Sequence, residues 1–198
     1  MTKSYHHGRL RETLIEAGIA ILEEEGIHAL SLRKVAKRAQ VSHAAPYRHF
    51  DDKIALLCAI AEDGFKQLVN NIEQIMLETA EDPRLQLFEL GHSYINFGIE
   101  HPAQLTLMFS DLLKTGTSQS LSDTAGYTFE LLKRSVEFAQ AANVIKDGDP
   151  TQLARTFWAM EHGLAMLMKE GFFDGEGDEF RKHAITKSLA DLMVGLEA

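Results

Sequence analysis

Residues 26–53, GIHALSLRKVAKRAQVSHAAPYRHFDDK, decide how this chain folds. Ser31 precedes Leu32-Arg33-Lys34-Val35-Ala36-Lys37-Arg38-Ala39, and Leu32, Val35, Ala36 and Ala39 share one side of a short helix. Gln40-Val41-Ser42 makes a tight connection, and Ser42 is a natural cap for a second short helix running through Phe50. Upstream, Leu10, Leu14, Gly18, Ile21 and Leu22 recur at helical spacing, and Gly26 ends that segment. Three such helices form a helix-turn-helix head. Its last helix fits the major groove, about 12 Å wide, and Tyr47, Arg48, His49 and Lys53 follow helix-terminal amides that suit phosphate.

The rest of the chain repeats the helical period with almost no β-alternation. Asp51-Asp52-Lys53 opens a long helix to about Thr79, striped by Leu57, Ile60, Leu68, Ile72 and Ile75. Further helices are expected over about 84–100, 103–113, 121–142, 151–170 and 178–197. The polar stretch 114–120 is expected to be a mobile loop, and 146–150 a turn. The fold class is therefore all-α with nine helices: a DNA-binding domain over 1–53 and a regulatory and dimerisation domain over 54–198.

Charge supports that division. The chain carries 20 Lys and Arg against 29 Asp and Glu, a net of −9. Residues 1–53 hold nine basic and seven acidic residues, net +2, which leaves 11 basic and 22 acidic, net −11, for the other 145. An acidic body is repelled by phosphate while a basic head approaches it. No run of 18 apolar residues is present, and the N-terminal MTKSYHHGRLRE lacks a signal-peptide core, so a cytoplasmic protein with no membrane partner is expected. The lone Cys58 excludes an internal disulfide and reads as a small buried hydrophobe.

Gly26, Ser31, Arg33, Val35, Ala36, Ala39, Val41, Ser42, Tyr47, His49, Phe50 and Lys53 together resemble the head of the TetR family of transcriptional regulators. The resemblance implies a homodimeric repressor on a palindromic double-stranded operator. It implies that Arg33 and His43 approach base edges while Ser42, Tyr47, His49 and Lys53 hold phosphates; Ala44 and Arg48 are further candidate DNA contacts. The sequence departs from the family at Ala44-Ala45-Pro46, where Gly-Thr-Leu is commoner. If Ser42 is the cap, Pro46 cannot donate the helix's first hydrogen bond; if His43 is the cap, Pro46 lies in the first turn at little cost. Phe50 is expected to pin this helix to the long one, and Phe50→Ala to cost about 3–5 kcal/mol and unfold the head. His6-His7 lies in an N-terminal arm that could touch DNA.

In the body, Leu153, Phe157, Met160, Leu164 and Leu167 form one stripe and Ile185, Leu189, Leu192 and Leu196 another, faces that either bury in the core of one chain or meet a partner. The resemblance assigns these stripes to a four-helix dimer seam. Trp158, His162 and Gly163 resemble the Trp-His-Gly signature of one branch of TetR regulatory domains. Read as residues, the first two are either a ligand or metal site or, in the favoured reading, a packed indole with its N–H bonded and a satisfied core histidine, and Gly163 permits close approach of another helix. Phe88, His92, Tyr94, Phe97, Met108, Phe109, Phe129, Trp158 and His162 are the candidate lining of a pocket for an apolar or aromatic effector. The same set would serve equally as core. His92, His101 and His162 lack the spacing of a metal site, so no metal or cofactor is expected, although a metal-responsive regulator of the same fold is the alternative. An all-helical enzyme is disfavoured, since no nucleophile–base pair, phosphate loop or carboxylate pair is present.

Overall fold

A computed structural model of the chain describes residues 9–116, 118–173 and 177–197. His6 and His7, and parts of the loops at 114–120 and 171–177, lie outside the described residues. Among those described there are eight α-helices and two short 3₁₀ turns, and no strand: α1 (Leu10–Glu25), α2 (Leu32–Arg38), α3 (Lys53–Glu78), α4 (Pro83–Glu100), α5 (Pro102–Met108), α6 (Gln119–Ala141), α7 (Pro150–Lys169) and α8 (Asp178–Gly195). The turns are Pro46–Arg48 and Asp111–Thr115. The all-α class is as expected.

Local chemistry sets most of these ends. The Ser31 hydroxyl accepts from the Lys34 amide at 3.2 Å, Asp52 Oδ1 from Ala55 at 2.8 Å, and Asp82 Oδ1 from Leu85 at 2.9 Å. Asp149 caps α7 through the Thr151 amide at 3.0 Å, and Pro83 and Pro150 sit in first turns where no N–H is needed. Gly26 stops α1 at φ 79°.

Two elements differ from expectation. The segment after Ser42 is a 3₁₀ turn at Pro46–Arg48, not an α-helix, so the expected nine helices become eight. Pro46 has no N–H to give to the Ser42 carbonyl. The Ala45 amide takes that acceptor instead at 2.9 Å, and Arg48 and His49 continue the tighter pattern by bonding Ala45 and Pro46 carbonyls. The helix expected over 103–113 also breaks: α5 ends at Met108, and Ser110 caps the Asp111–Thr115 turn by accepting from the Leu112 amide.

The chain packs as two compact units. The first comprises residues up to Phe65 together with Ala103–Asp123; the second comprises Lys66–Pro102 with the residues from Thr124 onward. The unit containing the helix-turn-helix is thus larger than residues 1–53. Its core includes Leu14, Ile21, Leu22, Leu30, Val35, Ala36, Phe50, Leu56, Leu57 and Ile60. Segment 103–123 is held there by polar contacts: Glu23 accepts from the Ala103 and Gln104 amides at 3.0 and 2.8 Å, and Gln104 Nε2 donates to the Ile60 carbonyl at 2.9 Å. Cys58 is buried, and its thiol donates to the Gly116 carbonyl at 3.2 Å. The second unit has two clusters of buried residues. Leu87, Val136, Ile145, Leu153, Phe157, Met193 and Leu196 belong to one, and Ile95, Leu164, Met168, Ile185 and Leu189 form the other.

Candidate nucleic-acid interface

Arg33 projects from α2, and Ser42, His43, Ala44, Tyr47, Arg48 and His49 lie on or beside the 3₁₀ turn; all seven are exposed. Ala45, Pro46 and Phe50 turn inward and are buried, with the Arg11 guanidinium 5.6 Å from the centre of the Phe50 ring. Apolar residues thus seat the turn from below and leave its polar side chains outside. Lys53 is half-buried, and its ammonium donates to the Ile27 carbonyl at 2.7 Å, tying the chain after α1 to the start of α3. Of its three N–H bonds, one serves the fold.

Several cations of the helix-turn-helix segment are already paired and others are not. Arg9 pairs with Glu12, Lys34 with Glu25, and Arg38 with Glu24 through both guanidinium nitrogens. Arg33, Lys37 and Arg48 make no ion pair among the described residues. These three keep their full charge for an anionic partner. Lys37 was not among the expected contacts; its place four residues after Arg33, on the same face of α2, is the signal that could have found it.

Residues 14–60 match the family described as bacterial regulatory proteins, tetR family, and residues 87–191 match the tetracyclin repressor-like C-terminal domain. The chain belongs to the TetR family. Its relatives include the nucleoid occlusion factor SlmA of Marinobacter nauticus, 28% identical over 81% of this chain and 80% of that one. They include the uncharacterized HTH-type regulator YobS of Bacillus subtilis, 25% identical over 94% of each. A solved structure of a protein with unknown function from Rhodococcus sp. RHA1 is 34% identical, covers 100% of both chains and superposes with a TM-score of 0.87. As a TetR-family member the chain is a DNA-binding transcriptional regulator, in a family of regulators rather than enzymes.

The second unit carries most of the TetR regulatory segment, all but residues 103–123. Most of the residues expected at a dimer seam are instead core of a single chain: Leu153, Phe157, Leu164, Ile185, Leu189 and Leu196 are each at most 8% exposed, while Met160 and Leu192 are half-buried and Leu167 is exposed. Helical periodicity identifies a face that will be buried but not what buries it, and here α4 and the neighbouring C-terminal helices do. The exposed apolar side chains of α7, α8 and the turn after α7 are Leu167, Phe172, Phe180 and Val194. Among the described residues, nothing beyond its own helix lies within 4 Å of where a Gly163 side chain would begin, so no helix of the chain makes the close approach there.

The expected pocket residues are divided between the two units. Met108 and Phe109 belong to the first unit, where Phe109 packs edge-on against Phe65 at 5.7 Å, and the other seven belong to the second. Phe88 stacks on His92, whose Nδ1 is 2.9 Å from the Asn96 amide nitrogen. Phe97 is buried beside His101. Tyr94, Trp158 and His162 do meet: the indole N–H donates to the Tyr94 oxygen at 3.2 Å, and that oxygen is 2.8 Å from His162 Nδ1. Phe129 meets Trp158 edge-on at 6.2 Å. Burial pushes the Tyr94 phenol up and the His162 imidazole down, so both favour their neutral forms.

A cleft of about 280 Å³ lies between α3 and α4 in the second unit, lined by Gln67, Asn71, Ile75, Glu89, His92, Ser93, Asn96, Phe97, Glu100 and His101. Only His92 and Phe97 of the expected set line it, and its walls are mainly polar. Among the described residues no three His, Cys, Asp or Glu side chains converge to hold a metal ion.

Proposed function

We propose that this chain is a homodimeric repressor of the TetR family, acting in the cytoplasm, that binds a palindromic operator and is released by an effector held in the body. The observation that carries this reading is the exposed ring of Arg33, Ser42, His43, Tyr47, Arg48 and His49 around unpaired cations, seated on a buried apolar floor. Arg33 and His43 read base edges, joined by Arg48; Ser42, Tyr47, His49 and the remaining protons of Lys53 meet phosphate. Ala44 presents only a methyl, which suits a thymine methyl. Chain continuity offers a route for the signal, because α4 passes through His101 directly into α5, whose first amides Glu23 of α1 holds. Dimerisation uses Leu167, the exposed member of the first stripe, with Phe172, Phe180 and Val194, in place of the buried members of both stripes. The functional division remains a head over 1–53 and a body over 54–198.

Fluorescence anisotropy against DNA fragments upstream of the gene tests this. Binding should be sequence-selective, two chains per site, and fall with salt at a slope near −0.9 for each phosphate neutralised. A folded dimer that shows no selective binding at low salt overturns the reading. A second reading, a DNA-organising protein with no effector, is favoured by the similarity to a nucleoid occlusion factor. Binding at many dispersed chromosomal sites, rather than at one promoter, would decide for it.

A further inference from the structure

Glu161 lies on α7, 2% exposed, in the second unit. Its Oε1 has no hydrogen-bond partner, and the residue makes no ion pair among the described residues. A buried carboxyl with an unmet oxygen is uncommon and calls for a physical account. Trp158, Glu161 and His162 are spaced i, i+3, i+4, so they project from one side of α7. Opposite them α4 presents Gly91 and, one turn on, Tyr94. A side chain at Gly91 would begin 2.8 Å from Glu161 Oε1 and 2.4 Å from a Leu189 methyl, so only glycine admits the carboxyl here. Tyr94 also feels the Glu161 charge. Tyr94, Trp158 and His162 are half-buried, so each of the rings around the acid is in part open to solvent.

We propose that Glu161, with the ring faces of Trp158 and Tyr94, is a binding site for a small organic ammonium ion. The carboxylate supplies the counter-charge and the rings supply cation–π attraction. A metal ion is not the fitting ligand, since among the described residues no third ligand converges. An anion would meet like charge, and a neutral apolar molecule would leave the buried oxygen as unmet as before. The site rests on the effector-responsive reading and names its ligand class as cationic, where the sequence suggested an apolar or aromatic one. Burial alone raises the Glu161 carboxyl to about 8. The empty site is therefore neutral at pH 7, and an ammonium ion binds by displacing the proton. The titratable groups nearest in the cluster are Tyr94 of α4 and His162 of α7, and α8 contributes the apolar Leu189.

Trp158 is the only tryptophan in the chain, so its fluorescence reports on the site. The full-length protein, without DNA, is titrated with benzylamine, phenethylamine, choline and the neutral benzyl alcohol at pH 6 and pH 8. At least one of the three cations should change Trp158 emission saturably, with a Kd of millimolar or below. Its binding should be about tenfold weaker per pH unit below 8, and at least tenfold stronger than that of benzyl alcohol. Glu161→Gln and the apolar Glu161→Met should both lose the cation preference and the pH dependence while keeping the helical circular dichroism. Having two variants guards against one failing to fold. Equal binding of benzyl alcohol, persistence of the preference in a folded variant, or no saturable response to any cation up to about 10 mM overturns the proposal. Repeating the titration with bound operator separates the two readings. A cation that binds but leaves DNA affinity unchanged leaves the site standing and removes its effector role; loss of DNA affinity with no Trp158 response removes the site and leaves effector control standing.

Discussion

At the scale of single residues, three helix ends share one geometry and differ in who occupies it. After α2, the Gln40 amide bonds the Lys37 carbonyl and the Val41 amide bonds Ala36. The same pair of bonds closes α6 at Asn143 and Val144, and α7 at Gly171 and Phe172. The first residue of each pair must take a positive φ: 56° at Gln40, 55° at Asn143 and 79° at Gly171. Glycine and asparagine tolerate this region; glutamine is the costly choice. Gln40→Gly should therefore raise stability by about 0.5–1 kcal/mol, read as a higher urea midpoint at unchanged m-value. An unchanged or lower midpoint would show that the longer side chain gives back in packing what the backbone loses.

Among the elements, the turn carrying the proposed recognition residues and helix α5 both depend on a single atom group. The missing N–H of Pro46 tightens the turn after Ser42, so Tyr47, Arg48 and His49 hang from a 3₁₀ turn and not from the α-helix that the pattern implied. The composition made Pro46 conspicuous but left two cap positions open, because the choice depends on which carbonyl the Ala45 amide reaches. Helix α5 is seven residues long, too short to hold alone, and its first turn leans on Glu23, eighty positions away from Ala103. Glu23→Gln keeps the shape but weakens a charge-assisted double cap. Amide exchange at Ala103 and Gln104 should rise by about fivefold to thirtyfold, corresponding to a loss of about 1–2 kcal/mol. Protection unchanged in the variant would mean that Gln104 and its bond to the Ile60 carbonyl hold the segment without help from α1. Nothing in the local pattern around Glu23 marks it as a cap for a distant helix; only folding brings it there.

For the molecule as a whole, two properties follow from what is buried. Glu161 holds its proton to about 8 in the fold, against an ordinary value of 4.5 once unfolded. Between those pH values the native state binds more protons than the unfolded chain, so stability is greatest at the acid end and falls as pH rises from about 4.5 to about 8. The loss reaches a few kcal/mol, and Glu161→Gln should flatten that part of a Tm-against-pH profile. A profile with the same slope in the variant would assign it to other groups. The second property is association. With Leu153 and Leu189 already covered within one chain, the proposed dimer would have to use the exposed Leu167 and Val194. Leu167→Glu should shift sedimentation toward the monomer and weaken operator binding at least tenfold, while Leu153→Glu should unfold the second unit. A dimer unaffected by Leu167→Glu would place the seam elsewhere.

The helical class, the family and the head's polar face were all legible in the sequence. They depend on local spacing and on residue types in a short stretch: Ser31 as a cap, Val35, Ala36 and Phe50 as core, and Arg33 and Tyr47 outside. What the C-terminal stripes pack against, which candidate pocket residues meet, and that Glu161 is buried without a partner were decided only by the tertiary structure. Period and composition specify which face of a helix leaves water. Which neighbour covers that face depends on contacts between residues far apart in the chain, such as Gly91 with Glu161 and Tyr94 with His162, and no local pattern encodes those.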